Sequence, residues 1–238
     1  MELFELMSER RHEQLVFWND PDLGYRGIIA IHDTTMGPAL GGTRYWNYGN
    51  DREAVIDALR LSRGMTYKAA ITGLNLGGGK SVIIGDPRQH KTEALLESMG
   101  RFLEQLGGLY IAAEDSGTSV ADLQVMGRKT SNVAGISERP GFDGRPSNGD
   151  PSPATAWGTF VGINAAVKHK LGRSDLEGLN VAVQGIGNVG YRLARHLKEA
   201  GAKLWVYDVH QDQMDRAVAE LGATPASADE ILYLPVDV

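Results

Sequence analysis

Two lysines, Lys68 and Lys80, stand on either side of an apolar segment that ends in three glycines, within MTYKAAITGLNLGGGKS (Met65–Ser81). Glycine has no Cβ, so a glycine run lets a ligand approach the backbone closely. A lysine that follows such a run can lose part of its hydration, and a desolvated ammonium has a lowered pKa that suits proton transfer. The segment therefore predicts a lysine-based acid–base site.

The same glycines invite comparison with a phosphate-binding P-loop, G-x-x-x-x-G-K-S, but the register excludes that interpretation. Gly79 and Lys80 fit the end of the pattern, whereas its first glycine would fall on Leu74. The segment also follows a predicted helix rather than a strand.

A lysine site of this kind needs a carboxylate partner, and AAEDSGTS (Ala112–Ser119) offers two candidates. Glu114 and Asp115 directly follow a predicted strand, where α/β proteins usually collect their catalytic groups. Period-two alternation places the two side chains on opposite sides of the strand, so at most one should face the lysines. Spacing alone leaves the choice between them open.

A second motif, GIGNVG, places Gly185, Gly187 and Gly190 in the pattern G-x-G-x-x-G between a predicted strand and a predicted helix. This is the phosphate-binding turn of dinucleotide-binding domains. Asp208 ends the next predicted strand, where a carboxylate can bind the ribose 2′-hydroxyl and repel a 2′-phosphate, which favours NAD over NADP. One lysine site and one cofactor site predict chemistry in a cleft between two domains.

Composition excludes several classes of protein. The 238 residues carry a formal net charge of −6, which argues against a nucleic-acid-binding surface. Cysteine is absent, so disulfides and thiolate catalysis are excluded, and the scattered histidines show no metal-ligand spacing, so no metal is expected. The acidic N-terminus is unlike a signal peptide and no segment is apolar enough to span a membrane, so a cytoplasmic location is expected.

Alternating strand and helix patterns predict an α/β fold. Strands are predicted at His12–Trp18, Gly27–His32, Ser81–Ile84, Leu109–Ala113, Leu179–Gln184 and Ala202–Asp208. Helices are predicted at Arg52–Lys68 (capped by Asp51), Lys91–Leu106, Ser119–Arg128 (capped by Ser119), Pro153–Leu171 (capped by Ser152), Gly190–Ala200 and Asp212–Leu221. The segment Met36–Trp46, with its glycines, is interpreted as a loop.

The segment Glu138–Pro153 interrupts this alternation with proline, glycine, serine and aspartate. It fits a mobile surface loop and equally a hinge or lid that leads into the cofactor domain. We place the boundary between the domains here, with a substrate-binding and catalytic domain in residues 1–150 and a dinucleotide-binding domain in residues 151–238.

Five motifs together carry a resemblance to a known family: GPALGGTR (Gly37–Arg44), LSRGMTYKAA (Leu61–Ala70), GLNLGGGK (Gly73–Lys80), AEDSGTS (Ala113–Ser119) and VAVQGIGNVG (Val181–Gly190). They resemble the amino-acid dehydrogenases of the glutamate/leucine/phenylalanine/valine family, and within it most closely the leucine dehydrogenases. The resemblance implies an N-terminal α/β substrate domain followed by a Rossmann domain. It also implies NAD-linked oxidative deamination of an L-amino acid to a 2-oxo acid and ammonia, by a homo-oligomer.

The resemblance also implies roles for individual residues. Lys68 would hold the substrate carboxylate, Lys80 would be the catalytic base, and Asp115 rather than Glu114 would be its proton-handling partner. The other substrate-binding positions would be Leu40, Gly41, Gly42, Met65 and Ala113. The cofactor-binding positions would be Thr155, Gly185, Ile186, Gly187, Asn188, Val189, Gly190 and Asp208.

Leu40 bears on specificity, because glutamate-specific relatives look to have a lysine at this point. A leucine, with Ala113 nearby, would leave the side-chain charge of glutamate unpaired, so aliphatic substrates such as leucine, valine or isoleucine are expected.

A doubly wound dinucleotide domain needs two halves, and this sequence supplies one half and the start of a fourth strand. By that count roughly 100 residues are missing, so the Rossmann domain is expected to be incomplete. The alternative is an inactive, truncated homologue that keeps the substrate domain and weak dinucleotide binding.

Overall fold

The computed structural model describes residues 2–140 and 146–238 of the chain. These residues form two compact units, the first ending at Asp150 and the second running from Pro151 to Val238. None of the helices in the described ranges is long and apolar enough to cross a membrane.

The first unit is built on a five-stranded mixed sheet. Its strands are β1 (Gln14–Asp20), β2 (Tyr25–Asp33), β3 (Ala39–Trp46), β4 (Gly77–Ile84) and β5 (Tyr110–Glu114). Their order across the sheet is β1-β2-β4-β3-β5, in which β2 is antiparallel to β1 and β4 while β3 is parallel to β4 and β5. The strand β3 therefore lies between β4 and β5.

Helices cover both faces of this sheet. They are α1 (Leu3–Arg10), α2 (Asp51–Ile71), α3 (Pro87–His90), α4 (Glu93–Gln105) and α5 (Val120–Met126). One core packs α2 against residues such as Ile28 and Val82, and the other packs α4 and α5 against residues such as Ile83 and Tyr110. Because side chains alternate along a strand, each residue of β4 faces either α2 or the α4–α5 layer.

The second unit is the first half of a Rossmann-like fold. After the two-residue strands β6 (Arg139–Pro140) and β7 (Pro146–Ser147), it comprises α6 (Ser152–Leu171), β8 (Asn180–Gln184), α7 (Asn188–Glu199), β9 (Lys203–Tyr207), α8 (Gln211–Leu221) and β10 (Thr224–Pro225). The three strands β10-β9-β8 are parallel and share one apolar core with α6, α7 and α8. Asp237 and Val238 hydrogen-bond to Asn180 and Ala182 along the other edge of β8, which matches the position of a fourth Rossmann strand.

Two predictions about the glycines were wrong. Met36–Trp46 is not a loop, because most of it forms β3, and β4 begins at Gly77 rather than at Ser81, so the glycine run lies inside a strand. A Cβ at Gly78 would lie 2.1 Å from Thr66 Oγ1 of α2, and one at Gly79 would lie 2.5 Å from the Tyr110 ring. These two glycines are required by packing of protein against protein, whereas the sequence suggested close approach of a ligand.

Two predicted helix caps were also wrong. Asn50 caps α2, because its side chain accepts a hydrogen bond from Glu53 N, and Asp51 is already the first helical residue. Likewise Pro151 is the N-cap of α6 and Ser152 lies within the helix. The predicted capping by Ser119 is confirmed, as a capping box with Asp122. Within the segment Glu138–Pro153, which was predicted to be a loop, hinge or lid, residues 141–145 lie outside the described residues.

Candidate active site

Lys80 is a buried lysine, 5% exposed, in the middle of the sheet, and its Nζ contacts Asp115 Oδ2 directly. Burial lowers the pKa of Lys80, although the charge of Asp115 opposes that effect. Burial also raises the pKa of Asp115, but the charge and hydrogen bond of Lys80 outweigh it, so the pKa of this carboxyl lies below its ordinary value. The pair thus combines an ionised carboxylate with an amine whose proton is weakly held.

The strand order explains how the pair forms. Lys80 lies on β4 and Asp115 directly follows β5. Because β3 lies between these two strands, their backbones are about 9.6 Å apart, twice the spacing of neighbouring strands. The register of Leu40 with Gly78 and of Thr43 with Ser81 places Gly42 beside Lys80. A Cβ at Gly42 would come within 2.6 Å of Asp115 Cβ. Gly42 therefore leaves the space over which the lysine reaches the carboxylate.

Alternation collects several predicted substrate-binding residues on this face of the sheet. Leu40 pairs with Gly78 and Gly42 pairs with Ala113, so these side-chain positions share the α2 face with Lys80. Leu40 and Ala113 are half-buried. Gly41 points to the other face, where a Cβ would lie 1.8 Å from the backbone oxygen of Gly79, so it serves the packing of β3 on β4.

Met65 and Lys68 lie in the C-terminal half of α2, where Met65 is half-buried and Lys68 is exposed. Helical periodicity places both on the stripe of α2 that includes Asp57, whose carboxylate contacts Arg44 of β3. That stripe borders the face of the sheet that carries Lys80. The ammonium of Lys68 is thus open to a ligand, whereas that of Lys80 is already engaged by a carboxylate.

Glu114 lies on the opposite side of β5 from Asp115, as alternation predicted. Its Oε2 is buried without a hydrogen-bond partner. Burial and the charges of Asp150, Asp115 and Asp122 raise the pKa of Glu114 to about 7. Of the two carboxylates that spacing left open, Asp115 is the one in contact with Lys80.

The sequence reasoning missed three residues beside the pair. Arg44 Nε lies 3.3 Å from Asp115 Oδ2, and Arg44 Nη1 donates to Asp57 Oδ2 at 2.8 Å. Tyr48 donates to the same oxygen of Asp57 at 2.7 Å. Period-two alternation from Gly42 would have placed Arg44 on the same face, but the segment was interpreted as a loop.

In the second unit, GIGNVG forms the turn between β8 and α7. A Cβ at Gly190 would lie 1.8 Å from the backbone oxygen of Gly185, so this glycine lets the turn close. A Cβ at Gly185 or Gly187 would meet no atom within 4 Å, which leaves their backbone open to a ligand. Gly187 is the N-cap of α7, so the first turn of that helix presents backbone N–H groups suited to phosphate.

The other residues predicted to bind the cofactor lie in and after this turn and in α6. Asp208 accepts hydrogen bonds from Ile186 N at 2.7 Å and from His210 N at 2.9 Å, which fix its carboxylate beside the glycine turn. Asn188 is exposed and Val189 half-buried in the first turn of α7. Thr155 is exposed in α6, where its hydroxyl donates to Pro151 O. The turn and the fixed carboxylate fit a dinucleotide.

Residues 2–140 and 146–238 contain no group of three or more His, Asp or Glu side chains placed to hold a metal ion. Lys80, Asp115 and Lys68 provide groups suited to proton transfer and ion pairing.

Comparisons with known proteins agree with this architecture. Residues 12–132 match the family model described as Glu/Leu/Phe/Val dehydrogenase, dimerisation domain, and residues 148–209 match that of Glutamate/Leucine/Phenylalanine/Valine dehydrogenase. The leucine dehydrogenases of Geobacillus stearothermophilus and Bacillus subtilis (strain 168) are 53% and 52% identical over all 238 residues. The crystal structure of L-tryptophan dehydrogenase from Nostoc punctiforme matches with a TM-score of 0.64 and 41% identity, over 99% of this chain and 65% of that one. The chain spans 64% of the length of the two leucine dehydrogenases.

Proposed function

The chain belongs to the glutamate/leucine/phenylalanine/valine dehydrogenase family, and from that premise we propose that it catalyses NAD-dependent oxidative deamination of an aliphatic L-amino acid. The substrates are leucine, valine or isoleucine, and the products are the 2-oxo acid and ammonia. The identity to leucine dehydrogenases supports this choice. The chain spans 64% of the length of those relatives, so catalysis by these 238 residues alone is itself a proposal.

The observation that carries the proposal is the contact between the buried Lys80 and Asp115. Oxidation of an amino acid to an imine is followed by attack of water, and a base must take a proton from that water. Lys80 Nζ, as the free amine, takes this proton, and Asp115 exchanges protons with Nζ while ammonia leaves. Burial favours the free amine, because it lowers the pKa of Lys80.

Lys68 binds the substrate carboxylate in this proposal, and its exposed ammonium supports that role. Gly41, Gly42 and Met65 border the same part of the site. The half-buried Leu40 and Ala113 form an apolar contact for the substrate side chain. A glutamate side chain would leave a carboxylate without a partner there, so aliphatic side chains are favoured.

NAD is the cofactor in this proposal, and when bound it accepts the hydride from the substrate Cα. Gly185–Gly190 and the N-terminus of α7 hold its pyrophosphate, and Asp208 binds the ribose 2′-hydroxyl. The anionic Asp208 would repel the 2′-phosphate of NADP, which supports NAD as the preferred form. Thr155 contributes a hydroxyl near the cofactor. Residues 1–150 thus act as the substrate-binding and catalytic domain and residues 151–238 as the NAD-binding domain.

The proposal also includes a homo-oligomer in the cytoplasm. The family model over residues 12–132 is described as a dimerisation domain, which supports self-association. The absence of cysteine is compatible with a reducing compartment.

The test is the rate of NADH formation, read by absorbance, when the purified chain is mixed with NAD and L-leucine. Turnover with leucine that exceeds turnover with L-glutamate, and that falls when NADP replaces NAD, is the expected result. The alternative is a chain that binds dinucleotide weakly and turns nothing over. Quenching of protein fluorescence by NADH without any NADH formation from leucine would favour that alternative.

A further inference from the structure

A short chain of charges runs from the pair of Lys80 and Asp115 to the surface of α2. Arg44 Nε lies 3.3 Å from the same oxygen of Asp115 that Lys80 contacts, as an ion pair without a hydrogen bond. On its other side Arg44 is bound by Asp57, which in turn accepts a hydrogen bond from Tyr48. The Arg44 and Asp57 side chains are 24% and 26% exposed, so neither charge is fully solvated.

This arrangement matters when Lys80 loses its proton. Asp115 would then be a partly buried carboxylate whose lysine partner is neutral, and an unpaired buried charge is costly. If Lys80 were the only cation beside Asp115, the carboxylate would oppose loss of the proton from Lys80 Nζ. A second cation on the same oxygen removes that obstacle, because the carboxylate keeps a partner in both protonation states of the lysine.

We propose that Arg44, oriented by Asp57 and Tyr48, is a positioning residue that keeps Asp115 paired while Lys80 releases and takes up its proton. The inference rests on the proposed function, since it assigns Arg44 a part in the same proton transfer. Arg44 acts through Asp115 and not on the substrate.

The other titratable groups around the pair do not replace Arg44. Asp57 favours the charged form of Lys80, and Glu114 and Tyr110 bring no positive charge to Asp115. After burial and the opposing influence of Asp115, the charge of Arg44 is a further cause that lowers the pKa of Lys80. Among these neighbours Arg44 therefore favours release of the proton.

Competitive labelling tests the inference without requiring turnover. Trace acetic anhydride acetylates only the free amine, and mass spectrometry gives the rate at Lys80 as a function of pH, divided by its plateau at high pH. In Arg44→Gln we expect the pH midpoint of the normalised profile to rise by about one unit, because a charge at this range shifts a pKa by about one unit or more. Arg60→Gln is the matched control, since Arg60 of α2 lines the same cavity of about 410 Å³ as Arg44. It should leave the profile unchanged.

Arg44→Lys keeps the charge but not the two-pronged guanidinium, so it should move the profile in the same direction by a smaller amount. This variant also decides the question if Arg44→Gln does not fold. Profiles that stay at the wild-type position in the folded Arg44 variants, or that move equally in Arg60→Gln, would overturn the inference. If the profile moves as expected while the wild-type chain turns over no amino acid, the inference on Arg44 stands and the proposed function fails.

Discussion

The substitution Gly78→Ala probes the packing that holds α2 on the sheet. A Cβ at Gly78 would lie 2.1 Å from Thr66 Oγ1, 2.2 Å from Thr66 N and 2.5 Å from Ser62 O. Two of these atoms are backbone atoms of α2, so no side-chain rotation relieves the overlap. To restore an ordinary 3.4 Å contact the helix must move by about 1.2 Å. That movement would also disturb the hydrogen bond between His32 and Thr66.

Overpacking of a dense core costs about 1–3 kcal/mol, and a buried hydrogen bond contributes about 1 kcal/mol. We therefore expect Gly78→Ala to lower the free energy of opening of α2 and β4 by about 3 kcal/mol. In hydrogen–deuterium exchange this corresponds to about 100-fold faster exchange of the amides in these two elements. Peptides from β8, which belongs to a separate core, provide the internal reference.

Gly64→Ala is the matched control. Gly64 is an exposed residue of the same helix, and a Cβ there would meet no atom within 4 Å. Alanine should stabilise the helix by about 0.5–1 kcal/mol and slow its exchange. If Gly78→Ala exchanges within about threefold of the wild-type rate, the glycine run is not required by packing and the reasoning is refuted.

Three further predictions concern titration and capping. His12 is 9% exposed and burial lowers its pKa from 6.5 to about 4, so the unfolded chain binds more protons in that window. The free energy of unfolding in urea should fall by about 3 kcal/mol as the pH drops through this window, and His12→Gln should flatten this slope; an unchanged slope would contradict the shift. Burial raises the pKa of Glu114 from 4.5 to about 7, so here the folded chain binds more protons. Glu114→Gln should raise the free energy of unfolding by about 1–2 kcal/mol above pH 7 and leave it unchanged near pH 4.5. An increase at both pH values would argue against burial as the cause. Asn50→Ala should lower the free energy of unfolding, measured by thermal denaturation, by about 1 kcal/mol, and Asp51→Ala should lower it by a few tenths. A larger loss in Asp51→Ala than in Asn50→Ala would show that Asp51 is the cap.

The local motifs could be predicted from the sequence because their geometry is local. GIGNVG forms the expected turn between a strand and a helix, and Ser119 caps α5 as predicted. In both cases the residues that define the structure lie within about six positions of each other. The apolar periodicity of α2 was likewise readable, because the residues that it buries against the sheet recur at helical spacing along one segment.

The glycine run could not be assigned correctly from the sequence, because glycine weakens a strand and usually marks a turn. Its place in β4 is required by α2 on one face and the Tyr110 ring on the other. These contacts join residues that are distant in sequence. The same reason hid β3, whose glycines allow close approach to β4 and to Asp115.

The choice between Glu114 and Asp115 depended on the order of the strands, which spacing does not specify. The order β4-β3-β5, with Gly42 on the strand between, places Asp115 within reach of Lys80. The resemblance to a family named the same carboxylate, but it gave no physical reason. Arg44 was missed although its motif was noted, because a residue in a presumed loop has no defined face.

The most direct test of the proposed role of Lys80 is the initial rate of NADH formation from NAD and L-leucine by the wild-type chain and by Lys80→Ala. General-base catalysis contributes about 100-fold to 10,000-fold, so the variant should lose at least about 99% of the wild-type turnover while it remains folded at the assay temperature. Lys129→Ala, which removes an exposed lysine of the same unit, should keep the wild-type rate. A Lys80→Ala rate above about a tenth of the wild-type rate, or a wild-type chain without turnover, would contradict the account.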